Sequence, residues 1–187
     1  MSFFEDDDKL DFDENTNNSK KKKKLPILEK AYYLLDYKDR TEKEMRDKLI
    51  ESKYPEDEIE KTIAHLQEIG LLNDDAYAKR FIEYQIQKNR GLSRIVQELK
   101  RKGITEEKVR FVIEDEVDMD AYFDRAVSLC TKVFHMAGVK DLDGMDYKEK
   151  MKILGKVRRK LLTAGYEYDI INEAVNHAIR EIGDSDS

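Results

Sequence analysis

At 187 residues, with 35 Lys and Arg against 41 Asp and Glu, the chain carries a formal net charge of −6, and 40% of it is hydrophobic. That balance excludes a protein that coats nucleic acid through bulk positive charge, yet leaves cations enough for local basic faces. A single cysteine excludes an intramolecular disulfide, no run approaches the ~18 apolar residues of a membrane span, and the Met-Ser-acid start lacks the shape of a signal peptide, so a reduced, cytoplasmic setting is expected.

Residues 1–24 open the chain with an acidic cluster (Glu5, Asp6, Asp7, Asp8, Asp11, Asp13, Glu14) that leads into Lys20 to Lys24. So few apolar residues cannot offset the entropy of ordering, which predicts a flexible charged tail. Its lysine run is either a phosphate contact or a solubilising linker partly neutralised by the neighbouring acids.

From Leu25 the apolar residues fall at helical spacing. Ile27, Ala31, Leu34 and Leu35 form one stripe, Met45 and Leu49 a second, and Ile59, Ile63 and Leu66 a third. Thr41 with Glu44 reads as a capping box, Pro55 suits a first helical turn, and Gly70 suits a stop, giving three helices over 25–71. The pattern then repeats. Met45, Leu49, Tyr54, Ile59 and Ile63 correspond to Ile95, Leu99, Ile104, Val109 and Ile113, and again to Val157, Leu161, Tyr166, Ile171 and Val175. Gly103 and Gly165 supply the left-handed turn residue of the second and third copies; Lys53 replaces it in the first, at some strain. Each copy opens with its own helix, from the Asn73-Asp74-Asp75 capping run in the second and near Asp120 in the third. The fold expected is all-α: three tandem three-helix repeats (25–71, 72–117 and 118–183) in an elongated, curved array, between the N-terminal tail and a C-terminal tail at 184–187.

No catalytic constellation emerges. His65, His135 and His177 lack metal-ligand spacing, no Gly-rich phosphate loop exists, and Cys130 between Val127 and Val133 reads as a core residue. No enzyme activity, cofactor or metal is therefore expected. Charge is more informative. Lys79 to Arg110 holds ten basic residues against four acidic, and Lys148 to Lys160 seven against one, each net +6. Both segments centre on the second helix of a repeat, whose apolar face turns inward. The candidate contact residues are Arg90, Arg94, Lys100, Arg101 and Lys102 in the middle copy, with Lys156, Arg158, Arg159 and Lys160 in the last. Their targets would be phosphates or an acidic protein surface. Acids elsewhere (Glu114, Asp115, Glu116, Asp118, Asp120, Asp124) would orient the molecule on a partner of mixed sign. The middle copy has a helix-turn-helix outline, but Glu106 and Glu107 at the start of its last helix argue against base reading.

The stretch Gly70-Leu-Leu-Asn-Asp-Asp-Ala-Tyr-Ala-Lys-Arg-Phe-Ile82, followed by Gly91-Leu-Ser-Arg-Ile-Val-Gln-Glu-Leu-Lys-Arg-Lys-Gly-Ile104, closely resembles the bacterial RecX family. Ala31-Tyr-Tyr-Leu-Leu and Lys150 to Val175 fit its first and last repeats, so the likeness runs from about Leu25 to Ile182. The resemblance implies a monomeric, non-enzymatic regulator, mainly an inhibitor, of the RecA recombinase. Such a protein lies along the RecA–single-stranded DNA filament and modulates its ATPase and strand exchange in DNA repair, recombination and the SOS response. Arg90, Arg94 and Lys100 to Lys102 would be the inherited basic positions. The short charged front end departs from the strand-like N-terminal segment of many Gram-positive relatives. Two other readings compete: a stand-alone protein binding single- or double-stranded DNA, and a helical scaffold for an unrelated partner.

Overall fold

The computed structural model describes residues 24–139, 142 and 144–184. The tails expected over 1–24 and 184–187 fall, apart from Lys24 and Asp184, outside the described residues. Among the described residues there are nine α-helices and no strand: α1 Ile27–Tyr37, α2 Glu42–Glu51, α3 Glu56–Glu68, α4 Asp74–Gln87, α5 Leu92–Arg101, α6 Glu106–Glu116, α7 Met119–Met136, α8 Tyr147–Ala164 and α9 Tyr168–Asp184. They form two compact units, Met1–Tyr77 and Ala78–Ser187, with the division inside α4.

In the first unit, α1, α2 and α3 all pack on one another. Ala31, Leu34, Met45, Leu49, Ile59, Ile63, Leu66 and Leu72 make the core, with Ile27, Leu35 and Tyr54 partly buried against it. The capping box at α2 is complete: the Thr41 hydroxyl accepts from the Glu44 backbone N–H, and the Glu44 carboxylate accepts from the Thr41 N–H at 3.1 Å. Arg46 ties α2 to α3 by donating to Glu60 at 2.9 Å while also holding Glu42. The guanidinium draws the Glu60 carboxyl below its usual range. Asn73 caps α4 by accepting from Asp75 and Ala76. Lys24 reaches back to the Lys53 carbonyl at 2.9 Å, its ammonium 3.7 Å from the Tyr54 ring centroid.

One backbone motif explains why the apolar comb repeats. Behind each copy's second helix, the comb's turn residue donates its N–H to the carbonyl of the comb residue five positions earlier: Tyr54 to Leu49 at 3.3 Å, Ile104 to Leu99 at 3.1 Å and Tyr166 to Leu161 at 3.1 Å. This six-to-one hydrogen bond is the Schellman closure, which brings an apolar residue after the turn over one in the last helical turn. It requires a left-handed residue between them, and Gly103 and Gly165 both have φ of +94°. Lys53 takes the same role at φ +60°. Lys53→Gly is expected to stabilise the first unit by about 0.5–1 kcal/mol, the relief of left-handed strain less the extra freedom of glycine when unfolded; thermal unfolding measures it. A further left-handed joint, Asn89 at φ +56°, links α4 to α5.

The second unit contains the middle copy from Ala78 on and the last copy. Its core includes Phe81, Ile82, Ile95, Leu99, Ile104 and Val109 from the former, and Tyr122, Phe134, Val157, Leu161, Tyr166, Ile171 and Val175 from the latter. Helix α7 starts one residue earlier than expected, with Asp118 as its cap. Cys130 is buried between α7 neighbours, and desolvation pushes its thiol up to about 12, as suits a small core residue.

Candidate contact surface

Helix α5 brings the middle-copy candidates together but pairs most of them internally. Arg90 Nη1 donates to Glu98 at 3.1 Å and Arg94 Nε to the same carboxylate at 2.9 Å. Lys100 donates to Glu106 across the Gly103 turn at 2.7 Å, and Arg110 holds the other oxygen of Glu106 at 3.0 Å. These two cations draw the Glu106 carboxyl below its usual range. Arg101 leans back onto the Gln97 carbonyl at 3.4 Å, and the Lys102 ammonium lies 5.8 Å from the Phe81 ring centroid. Lys79, at the start of the same basic stretch, pairs with Glu116 at 2.6 Å. Two of the four acids among these ten bases, Glu98 and Glu106, thus each hold two cations, and the face of α5 is weaker as an anion site than its net charge suggests.

Helix α8 differs. Its inward face carries Ile153, Leu154, Val157 and Leu161, which pack towards α7 and α9. Lys148, Lys152, Lys156, Arg159 and Lys160 are exposed, and among the described residues their side chains make no ion pair or hydrogen bond. Positions 148, 152 and 159 recur at three- and four-residue steps and share one outward row with Gly155, with Lys156 and Lys160 beside it. Arg158 does not join them: it is half-buried, and its Nε has no hydrogen-bond partner among the described residues. Lys148 and Lys152 belong to the basic segment but not to the candidates that charge alone selects; helical phase places them in the row with Arg159.

The two copies meet through a close backbone contact. The Gly91 N–H donates to the Ala164 carbonyl at 2.9 Å, at the turn between α8 and α9. A Cβ on Gly91 would overlap the Gly165 carbonyl and the Tyr166 nitrogen, and one on Gly165 would overlap Arg94 Cβ. Around this contact the Leu92 N–H donates to the Tyr122 hydroxyl at 2.9 Å, which donates to Glu167 at 3.0 Å; Ser93 donates to the other Glu167 oxygen at 3.0 Å. The Tyr122 ring stacks on Tyr166 with centroids 5.1 Å apart. Burial, the largest influence, pushes the Tyr122 phenol well above its ordinary range, so it stays protonated and able to donate. Glu167 thus places a carboxylate at the N-terminus of α5, where Gly91 offers no side-chain cap. Tyr122→Phe leaves the Leu92 donor and the Glu167 carboxylate short of a partner and is expected to cost about 2 kcal/mol in chemical denaturation. At the same junction Arg94 Nη1 lies 3.5 Å from the Thr163 carbonyl, which sets it at the C-terminal end of the α8 cation row.

Among the described residues no group of three or more His, Cys, Asp or Glu is placed to hold a metal ion, and no helix is long and apolar enough to cross a membrane. Fold and surface define a tandem three-helix repeat protein with one strongly cationic helix face. Family models described as RecX, first three-helix domain, and RecX, second three-helix domain, match residues 28–66 and 73–111. Among curated proteins, a regulatory protein RecX of Clostridium perfringens (strain 13 / Type A) is 34% identical over 151 residues, covering 81% of this chain and 64% of its own length. Another, from Clostridium botulinum (strain Eklund 17B / Type B), is 34% identical over 158 residues, covering 83% of this chain and 69% of its own length. The crystal structure of RecX from Lactobacillus salivarius matches with a TM-score of 0.69 at 27% identity, over 81% of this chain and 94% of that one. The chain belongs to the RecX family. It spans a little under two thirds of the length of the C. perfringens protein.

Proposed function

We propose that this chain regulates the RecA recombinase, mainly as an inhibitor, by lying along the RecA–single-stranded DNA filament and lowering its ATPase and strand exchange. It acts by contact, as a cytoplasmic monomer without cofactor or catalytic chemistry, in DNA repair and recombination and within the SOS response. Family membership supports the partner, and one observation supports the mode of action: α8 presents five exposed cations with no partner among the described residues, in an acidic protein. Unpaired cations keep their full attraction for an anionic partner, whereas Arg90, Arg94 and Lys100 must first release Glu98 or Glu106. Linked modules on a repeating filament also raise one another's effective concentration once the first has docked.

The test is RecA's single-stranded-DNA-dependent ATPase with and without the full chain. A fall in ATPase at amounts near or below those of RecA is expected. No change in ATPase or strand exchange over a wide range of concentration overturns the reading.

A further inference from the structure

Gly155 lies near the middle of α8, where glycine weakens a helix relative to alanine. Nothing in the fold asks for it. A Cβ at this position would meet no atom within 4 Å, and its backbone is not left-handed. It stands on the outward row of α8, with Lys152 three residues before it, Arg159 four after, and Lys156 adjacent. At Gly155 the helix therefore has no side chain over a half-buried backbone, at the centre of cations that have no partner among the described residues.

We propose that this is a seat for a nucleic-acid strand, with a phosphodiester backbone lying directly on α8 at Gly155 between Lys148, Lys152, Lys156 and Arg159. Three observations favour a nucleic acid over an acidic protein surface. No acid interrupts the helix from Lys150 to Lys160, so the face carries one sign throughout, with cations four residues apart repeating about every 6 Å along the axis. Carboxylates on a folded partner reach ammonium groups through their own side chains and gain nothing from a missing Cβ, whereas a narrow, continuous phosphodiester gains by approaching the helix. Tyr147, Met151 and Leu162 edge the row at 76%, 45% and 52% exposure, giving bases or sugars an apolar surface beside the phosphates.

The inference rests on the proposed role of α8 in recognising the filament and names what that face takes. Its test omits RecA, so its failure leaves the ATPase result standing. Binding of the full chain to a fluorescent oligothymidine is measured over a salt series, beside thermal unfolding. Gly155→Ala is expected to raise the unfolding midpoint by a few degrees, because alanine is the better helix former and has room, and yet to weaken binding about fivefold. Lys152→Ala/Lys156→Ala/Arg159→Ala is expected to flatten the slope of log affinity against log salt by about 2, the release of three counterions on a single strand. Exposed cations on the first unit are the control, and Lys43→Ala/Lys61→Ala is expected to leave the slope unchanged. Unaltered or tighter binding by Gly155→Ala overturns the seat. An unaltered slope in the triple variant moves binding to other cations and overturns it as well. So does a chain that binds poly-L-glutamate but not the oligonucleotide, or that binds neither.

Discussion

Gly91→Ala is expected to lower the unfolding midpoint of the Ala78–Ser187 unit by about 10 °C, a large response to one methyl group. The backbone of Gly91 is ordinary, with φ −77°, so no conformational strain is involved. The cost comes from space: the new Cβ would overlap backbone atoms of Gly165 and Tyr166, which cannot swing aside as a side chain does. Either the Gly91–Ala164 hydrogen bond opens, or the turn after Leu161 moves and loosens the stack of Tyr122 on Tyr166. Overpacking of this kind costs about 2–3 kcal/mol, and for a unit of this size each kcal/mol moves the midpoint by about 4 °C. Calorimetry of the full chain reads it directly, with Gly155→Ala as a helix substitution expected to shift the midpoint the other way. An unmoved midpoint would show that the close approach contributes nothing to the unit.

Replacing Lys152, Lys156 and Arg159 together by alanine is expected to raise the concentration needed to lower RecA's ATPase by about 30-fold. Each exposed cation facing a charged partner contributes on the order of 0.5–1 kcal/mol, so three amount to about 2 kcal/mol. The fold should be indifferent, because these side chains hold no partner among the described residues. The matched change on α5, Arg90→Ala/Lys100→Ala, is expected to do less to the ATPase and more to stability, since it strips neutralising cations from Glu98 and Glu106. If the α5 pair proves the more damaging to regulation, the contact surface lies on the middle copy and the reading of α8 fails. Salt tests the same point: the loss caused by the α8 variant should shrink as ionic strength rises.

How much of the molecule is legible in the chain depends on the reach of the interaction concerned. The comb Met45–Leu49–Tyr54–Ile59–Ile63 and its two echoes can be read because each copy is closed by bonds within a few residues. Even the awkward case is visible: the slot that holds Gly103 and Gly165 elsewhere holds Lys53 in the first copy, and Lys53 does adopt a positive φ. The joint at Asn89 is not signalled by the comb, although asparagine is among the residues that best tolerate that conformation. Charge is legible only as a sum. Two segments of equal net charge behave oppositely because Glu98 and Glu106 stand within reach of α5's cations while α8 carries one acid, Glu149, at its first turn. The Arg94–Glu98 spacing is open to inspection, but Lys100–Glu106 crosses a turn whose geometry a tally of signs does not contain. The join at Gly91 has no local signal. Ser93 and Glu167 lie 74 positions apart, and nothing near Gly91 announces that another stretch of backbone will occupy the place of its side chain.

That join also limits how the modules can be exchanged. A repeat protein is often pictured as beads that duplicate, diverge and swap with little regard for their neighbours. Here a chimera taking α4–α6 from one relative and α7–α9 from another keeps its seam only when the donor of the first piece has glycine at the place of Gly91 and the donor of the second has it at Gly165. A replacement at Gly91 has no local remedy, because the obstacle is main chain in the other module; one at Gly165 meets Arg94 Cβ and must also hold a φ of +94°. The middle and last copies, alike in plan, are bound to be inherited as a pair.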